Sequence, residues 1–137
     1  MDRKRSRLSL SFSRNYAIQW GVNLQSVEPG VATRRYTDFL LATAWSQEVG
    51  ITTAAMLPCM KLYAFLGQKL AQAGIPDHHY GDWIRTYGSD EFKPLVVQLM
   101  QLANQYALLT PEVGSTYRYA MQCELDFFQA AWDIGVS

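Results

Sequence analysis

The chain has 137 residues, of which 49% are hydrophobic and 18% are charged. This length and composition predict one globular domain with its own core and exclude a disordered protein. The two cysteines are too few for a disulfide framework, so a reducing compartment, by default the cytoplasm, is expected. No run of about 18 apolar residues occurs, so no membrane-spanning segment is predicted.

The charges are unevenly distributed along the chain, although basic and acidic residues number 12 each. Residues 1–14 contain five basic residues and one acidic residue. We predict a basic, disordered tail over residues 1–11, with a nucleic-acid-binding arm or an organellar transit segment as alternatives. The rest of the chain is mildly acidic, so the single folded domain predicted over residues 12–137 is not expected to bind nucleic acid.

Helical periodicity accounts for the first half of the predicted domain. Aromatic residues spaced by four predict a short helix over residues 12–20, and turn-forming residues predict a loop over 21–30. Longer helices are predicted over residues 33–47 and 51–73. A glycine at position 74, followed two residues later by a proline, is a typical helix stop.

The second half of the domain also consists of predicted helices. Three more are expected over residues 78–87, 89–108 and 111–134. Asp77, Ser89 and Thr110 are placed to act as their N-caps, because short polar side chains accept hydrogen bonds from the first free amides of a helix. No strand alternation appears anywhere, so the fold class is all-α, and the short turns favour a helical bundle.

The helix predicted over residues 51–73 contains a cysteine in unusual surroundings. Apolar residues cover nearly its whole circumference, which is typical of a helix at the centre of a bundle. Cys59 shares a face with Tyr63, and Pro58 beside it removes a backbone donor from the helix. Cys59 is therefore either a small core side chain or a reactive thiol in a pocket. Periodicity alone does not choose between the two.

The last predicted helix contains a second unusual residue, because Glu124 lies within an apolar stripe. Burying a carboxylate is costly unless it is hydrogen-bonded or paired, and a buried carboxyl group suits acid/base catalysis. The alternative is a side chain at the edge of the stripe that reaches water or an ion pair. The neighbouring Cys123 points about 100° away and is predicted to pack in the core. The adjacent histidines His78 and His79 have no partners at ligand spacing, so no metal site is expected.

Four motifs, in the order found here, resemble the TenA family. They are YTDFL at residues 36–40, LPCMKLY at 57–63, WIRTYGSDEF at 83–92 and ELDFF at 124–128. The resemblance begins near residue 12 and continues almost to the C-terminus. It implies a haem-oxygenase-like helical bundle that uses neither haem nor any other cofactor.

The family resemblance also implies an activity, that of thiaminase II or aminopyrimidine aminohydrolase in thiamin salvage. Cys59 matches the family's nucleophile, and Glu124 matches its acid/base residue. The matching substrate-binding positions are Tyr36, Tyr63, Tyr87 and Phe127. An aminopyrimidine ring is poor in electrons, so a thiolate can add to a ring carbon and expel an amine from the exocyclic methylene group. Nearby phenols are expected to lower the pKa of the thiol.

The resemblance covers only the C-terminal portion of a TenA-like bundle. The N-terminal helices have no counterpart in this sequence, and neither does the family's aspartate that holds the pyrimidine amino group. Two interpretations follow. The chain is a hydrolase completed by self-association into a homo-oligomer or by a partner chain, or it is a catalytically inactive module that binds pyrimidines or another protein. The expected ligand in both cases is an aminopyrimidine or thiamin.

Overall fold

A computed structural model describes residues 15–135 of the chain. All regular secondary structure within this range is helical, which confirms the predicted all-α class. The chain divides after Gly30 into two compact units. The predicted basic tail, residues 1–11, lies outside the described residues.

The first unit contains a short helical segment followed by a turn-rich stretch. Residues 15–19 are helical, and the rings of Tyr16 and Trp20 lie 5.3 Å apart on one side of that segment. Gly21 has a φ of 66°, a conformation that a glycine adopts without strain. The Asn23 side chain accepts a hydrogen bond from the amide of Gln25 at 3.0 Å, forming an Asx turn. The loop predicted after the short helix is therefore confirmed.

The second unit is built from five helices joined by short connections. They are α1 (Val31–Ser46), α2 (Val49–Gln72), α3 (Gly81–Gly88), α4 (Lys93–Tyr106) and α5 (Pro111–Gly135). Helix α2 packs against all of the other four, and α1 also packs against α5. The prediction that the cysteine-containing helix lies at the centre of a bundle is thus confirmed.

The predicted start of the short helix α3 is wrong by three residues. It begins at Gly81 instead of residue 78, and no side chain caps it. The amide of Gly81 donates to the His78 carbonyl at 2.9 Å, and the imidazole of His78 accepts from the amide of Tyr80 at 3.1 Å. These hydrogen bonds form a tight turn before the helix. The predicted helix start at residue 78, with Asp77 as its cap, would have needed the same backbone groups.

Helix α4 also begins later than predicted, at Lys93 instead of residue 89. The Ser89 hydroxyl donates to the Thr86 carbonyl at 2.8 Å and accepts from the Phe92 amide at 3.2 Å. Ser89 thus closes the turn between α3 and α4. Ser89 does form the local hydrogen bonds expected of a capping residue, but they stabilise the turn before α4 and not the first turn of the helix.

Other predicted helix ends are confirmed. Gly74 follows the C-terminus of α2 with a φ of 86°, and its amide donates to the Ala71 carbonyl at 3.1 Å. The Thr110 hydroxyl accepts from the amide of Val113 at 3.3 Å, and Pro111 is the first residue of α5. These termini depend on local chemistry alone, which is why the sequence identified them.

Two glycines let α2 approach its neighbours at backbone distance. A Cβ atom added to Gly67 would lie 2.5 Å from the amide nitrogen of Gly88 and 2.5 Å from the carbonyl carbon of Tyr87. A Cβ atom added to Gly50 would overlap the carbonyl oxygen of Tyr106. Contacts this close leave no room for a side chain, so glycine at these positions sets how α3 and the end of α4 sit on α2.

Apolar side chains also remain exposed on the central helix. Met56, Phe65 and Leu70 of α2 are each about half exposed. Within residues 15–135, α2 alone has the length and composition of a membrane-spanning segment, with a mean hydropathy of 1.4. A helix that contacts four others has a similar composition, because most of its sides need apolar contacts.

The glycine at the crossing of α2 and α3 provides a test of the packing. We expect Gly67→Ala to lower the free energy of unfolding by about 1–3 kcal/mol, since the new methyl group meets backbone atoms that cannot rotate away. This loss outweighs the helix-propensity gain of up to about 1 kcal/mol for alanine over glycine. Chemical denaturation monitored by circular dichroism measures the change.

A matched control for this variant is Gly114→Ala in α5. Its added Cβ atom would have the guanidinium of Arg118 as nearest neighbour, at 3.4 Å, which is an ordinary contact. We expect this substitution to be neutral or to stabilise the protein by up to about 1 kcal/mol. Equal stability of the two variants would contradict the close helix crossing.

Candidate active site

The site is built around one face of the central helix. Cys59 and Tyr63 lie four residues apart on α2, so their side chains are neighbours on the helix surface. Pro58 is fully buried beside them, and α2 continues through it without a break. Because proline has no amide hydrogen, the carbonyl of Ala54 lacks its usual helical donor one turn before the thiol. Cys59 itself is partly buried.

Helix α5 places a carboxylate next to this face. Glu124 is only 1% exposed, and Ala120 and Cys123, also on α5, are buried as well. Neither carboxylate oxygen of Glu124 has a partner with hydrogen-bond geometry in the described part of the chain. A buried carboxylate without such a partner is costly, so it requires either a functional explanation or a ligand that supplies a donor.

Helix α1 contributes a phenol to the same place. Tyr36 is buried, and its hydroxyl likewise lacks a partner with hydrogen-bond geometry among the described residues. It nevertheless lies close enough to Glu124 and Cys59 to interact electrostatically with both. A thiol, a carboxylate and a phenol from three different helices therefore converge in the interior of the bundle.

The thiol of this group is protonated at neutral pH. Burial, followed by the negative charge of Glu124, raises the pKa of Cys59 to about 12. Tyr36 acts in the opposite direction and lowers the pKa of the thiol, but it does not offset the other two effects. The expectation that nearby phenols produce a net decrease is therefore wrong, because removal from water outweighs one donor.

The phenols around the thiol are protonated too. Burial raises the pKa of Tyr36, Tyr63 and Tyr87. Interaction with the carboxylate of Glu124 raises the pKa of Tyr36 and Tyr63 further. All three hydroxyl groups can therefore act as hydrogen-bond donors at any physiological pH.

An aromatic cluster extends from the thiol toward α3 and the end of α5. The ring of Tyr63 lies 4.9 Å from Tyr87, 5.3 Å from Trp83 and 5.9 Å from Phe128, measured between centroids. Trp83 and Tyr87 lie 4.7 Å apart on adjacent turns of α3. These distances are typical of favourable edge and tilted ring contacts, and the group offers flat surfaces suited to a heterocycle.

Most of the residues predicted as site residues lie together. The structure groups five of them, namely Cys59, Glu124, Tyr36, Tyr63 and Tyr87. Phe127 lies at the margin, with its ring 5.8 Å from that of Phe128, which in turn contacts Tyr63. The catalytic and binding roles of these six residues stay predictions.

Two members of the aromatic cluster were not predicted as site residues. Trp83 precedes Tyr87 by four residues, and this spacing alone indicated that both rings share one face of α3. Phe128 had no comparable signal, because its role depends on how α5 lies on α2. No group of three or more metal-ligating side chains occurs among residues 15–135, and His78 is engaged in the turn before α3.

This arrangement suits covalent catalysis by a sulfur nucleophile. The protonated thiol of Cys59 requires a base, and the Glu124 carboxylate of α5 lies close enough to act on its pKa. A proton moved from sulfur to carboxylate stays inside the protein and does not have to be exchanged with solvent. The same proton is then available to a leaving group, which is how one carboxyl group serves as both base and acid.

The chain matches known proteins over most of its length. The model of the TENA/THI-4/PQQC family matches residues 6–134. An aminopyrimidine aminohydrolase of Halalkalibacterium halodurans is 37% identical in an alignment of 107 positions, gaps included, that covers 73% of this chain and 47% of that protein. The mitochondrial bifunctional TH2 protein of Arabidopsis thaliana is 31% identical in an alignment of 155 positions, gaps included, that covers 93% of this chain and 25% of that protein.

A third relative, the thiamine biosynthesis multifunctional protein ThiED of Corynebacterium glutamicum, is 42% identical over 64 residues, or 47% of this chain and 8% of that protein. No solved structure matches the chain at a significant level. The chain spans about half the length, 47%, of the Halalkalibacterium protein. The family match over residues 6–134 shows that the chain belongs to the TENA/THI-4/PQQC family.

Proposed function

We propose that this protein hydrolyses the bond between an amine and the methylene carbon attached to an aminopyrimidine, in the salvage of thiamin breakdown products. Relatives named aminopyrimidine aminohydrolase support the substrate class. The observation that carries the proposal is the position of the Cys59 thiol beside the buried carboxylate of Glu124. A nucleophile and a proton acceptor are the two groups that this reaction needs.

The reaction begins when sulfur adds to the ring. Glu124 takes the proton from the Cys59 thiol as sulfur forms a bond to an electron-poor carbon of the pyrimidine. The electron pair of the attacked double bond moves through the ring toward the carbon that holds the aminomethyl group. The raised pKa of the free thiol makes the sulfur strongly nucleophilic once it has lost its proton.

The amine leaves in the second stage. Glu124 gives its proton to the departing nitrogen, ammonia is released, and an exocyclic double bond forms at the methylene carbon. Water then adds to that carbon, with its proton passing to Glu124, and the ring expels the Cys59 sulfur, which recovers the proton. One amine is exchanged for one hydroxyl group, and the protein returns to its starting state.

The aromatic cluster supplies the binding surface in this proposal. The rings of Tyr63, Tyr87 and Phe127 suit contacts with the faces and edges of a flat heterocycle. Tyr36 remains beside both reacting groups and can donate a hydrogen bond to the carboxylate or the sulfur. The buried carboxylate also suits a substrate with amino groups, because each amino group can donate a hydrogen bond to a Glu124 oxygen that has no partner with hydrogen-bond geometry among the described residues.

We further propose that the protein works in association with another chain. The apolar side chains exposed on α2 include Met56, Phe65 and Leu70, and covering them would remove apolar surface from water. A second copy of this chain, or a chain that supplies further helices of the family's bundle, could provide the cover. In either case the covering surface would lie next to the helix that contains Cys59.

The first test compares the two cysteines. We expect Cys59→Ala to abolish ammonia release from 4-amino-5-aminomethyl-2-methylpyrimidine, because the variant lacks the proposed nucleophile. Cys123→Ala is the matched control, since it removes the other, buried cysteine from α5 and should reduce stability but not the reaction. Full turnover in the Cys59 variant would contradict the mechanism.

Binding of the pyrimidine without turnover would support the other interpretation. In that case the purified chain releases no ammonia, but the same aminopyrimidine raises its melting temperature. This outcome would identify an inactive pyrimidine-binding module, and size-exclusion chromatography at several protein concentrations would then show whether self-association accompanies binding.

The charge of Glu124 should affect the reactivity of the free thiol. We expect Glu124→Gln to lower the pKa of Cys59, because the negative charge that raises it is removed. Alkylation of Cys59 by iodoacetamide at pH 8–9 should accelerate about threefold for each pKa unit, because the tenfold gain in thiolate is partly offset by the lower nucleophilicity of a less basic sulfur, while ammonia release is lost. Peptide mass spectrometry of the Cys59 peptide measures the alkylation rate.

The control for this variant is Glu112→Gln, the same chemical change at an exposed position of α5. It should change neither alkylation nor ammonia release. If Glu124→Gln alkylates no faster than this control, the carboxylate does not act on the thiol.

Glu124 should also impose a stability cost. We expect Glu124→Met to raise the free energy of unfolding by about 1–3 kcal/mol, because an apolar side chain of similar size replaces a buried carboxylate without a hydrogen-bond partner. The exposed Glu112→Met should change it by less than about 0.5 kcal/mol. Urea denaturation of both variants checks the difference. A destabilised Glu124 variant would indicate that the carboxylate is compensated in the folded protein.

A further inference from the structure

Two side-chain contacts fix the register of α1 against α5. The Arg35 guanidinium donates to the Asp126 carboxylate at 2.8 Å, measured from Nη1 to Oδ2. The rings of Phe39 and Tyr119 meet edge to face with centroids 4.8 Å apart. Since residue numbers rise along α1 as they fall along α5, the two helices run antiparallel.

The contact between Tyr36 and Glu124 falls between these two contacts. Tyr36 follows Arg35 directly in α1, and Glu124 lies two residues before Asp126 in α5. The ion pair therefore lies one residue from Tyr36 along α1 and two residues from the proposed catalytic carboxylate along α5. Any sliding of α1 along α5 that breaks the ion pair also moves the phenol relative to the carboxylate.

The Asp126 carboxylate is held at both of its oxygens. Oδ2 accepts a hydrogen bond from the Arg35 guanidinium, and Oδ1 accepts one at 2.8 Å from the side-chain amide Nε2 of Gln122, one turn earlier on α5. The Gln122 contact orients the carboxylate on its own helix, so the Arg35 contact can join the two helices in a defined geometry. The ion pair between Asp90 and Lys93, by contrast, joins residues three positions apart in one stretch of chain.

The hydroxyl of Tyr36 interacts with Glu124 and Cys59, but no partner among the described residues meets full hydrogen-bond geometry. Its position depends instead on the packing of α1, which the Arg35–Asp126 contact helps to set. A half-exposed ion pair contributes little to overall stability, because water screens it. Its geometric effect can be larger, since a displacement of about 1 Å in a reacting group can cost about 100-fold in rate.

We propose that Arg35 and Asp126 are positioning residues for the active site, and that their ion pair holds the Tyr36 hydroxyl beside Cys59 and Glu124. Their effect passes through Tyr36, so it disappears when the hydroxyl is absent. The part of this inference that concerns turnover rests on the proposed hydrolase activity. The part that concerns the reactivity of the Cys59 thiol does not.

A double-mutant cycle on the full chain tests the proposal. We expect Arg35→Ala and Asp126→Asn each to lower kcat for ammonia release about tenfold, with a change in KM of less than about threefold. In a Tyr36→Phe background, Arg35→Ala should cost less than a further twofold. An equal loss with and without the phenol would overturn the proposal.

Alkylation of Cys59 by iodoacetamide provides the readout that does not require turnover. Tyr36 lowers the pKa of the thiol, so losing or displacing its hydroxyl should slow alkylation. We expect Arg35→Ala and Tyr36→Phe to shift the pH profile of alkylation upward by the same amount. Faster alkylation in Arg35→Ala would show that the site merely loosens and admits water, and this result would overturn the positioning role.

Two further variants separate positioning from folding. Arg35→Lys keeps a cation that can reach Asp126 and should stay within about threefold of the unmodified protein in both measurements. Lys93→Ala breaks the local ion pair with Asp90 and should change neither. Circular dichroism spectra and unfolding midpoints confirm that all variants are folded. Absence of ammonia release from the unmodified protein would contradict hydrolase activity of this chain by itself, and the alkylation profiles would still decide the positioning role.

Discussion

The burial of one carboxylate is the constraint on which the rest of this site depends. Glu124 is removed from water by the meeting of α1, α2 and α5, and small residues such as Ala55 and Ala120, which are 1% and 0% exposed, allow the helices to come close. Burial raises the pKa of Cys59, Tyr36 and Tyr63, and the charge of the buried Glu124 raises each of them further. The chemical character of the site is therefore a consequence of helix packing.

Helix α2 combines the roles of core and site. Gly67, one turn beyond Tyr63, lets α3 approach at backbone distance, and this approach brings the Tyr87 ring to 4.9 Å from Tyr63. Pro58 lies next to Cys59 in the same helix and is also fully buried. Packing residues such as Pro58 and Gly67 lie between or next to the site residues of α2. Changes in the packing of this helix are therefore expected to alter the reactivity of the Cys59 thiol as well.

The resting state of the site differs from that of enzymes with a preformed thiolate. Here burial and a neighbouring carboxylate keep the thiol of Cys59 protonated. A partly buried, protonated thiol is less easily oxidised than an exposed thiolate. In the proposed reaction the substrate supplies the missing donors and the electron-poor carbon, and charge moves from carboxylate to sulfur only as the new bond forms.

Periodicity predicts the all-α class and the central position of α2, and local hydrogen-bonding chemistry predicts helix ends such as Gly74 and Thr110. The family motifs indicated Cys59 and Glu124 as candidate site residues. The rise in the pKa of the thiol and the contact of the Arg35 side chain with α5 could not be predicted in this way, since desolvation and contacts between distant residues depend on how separate helices pack.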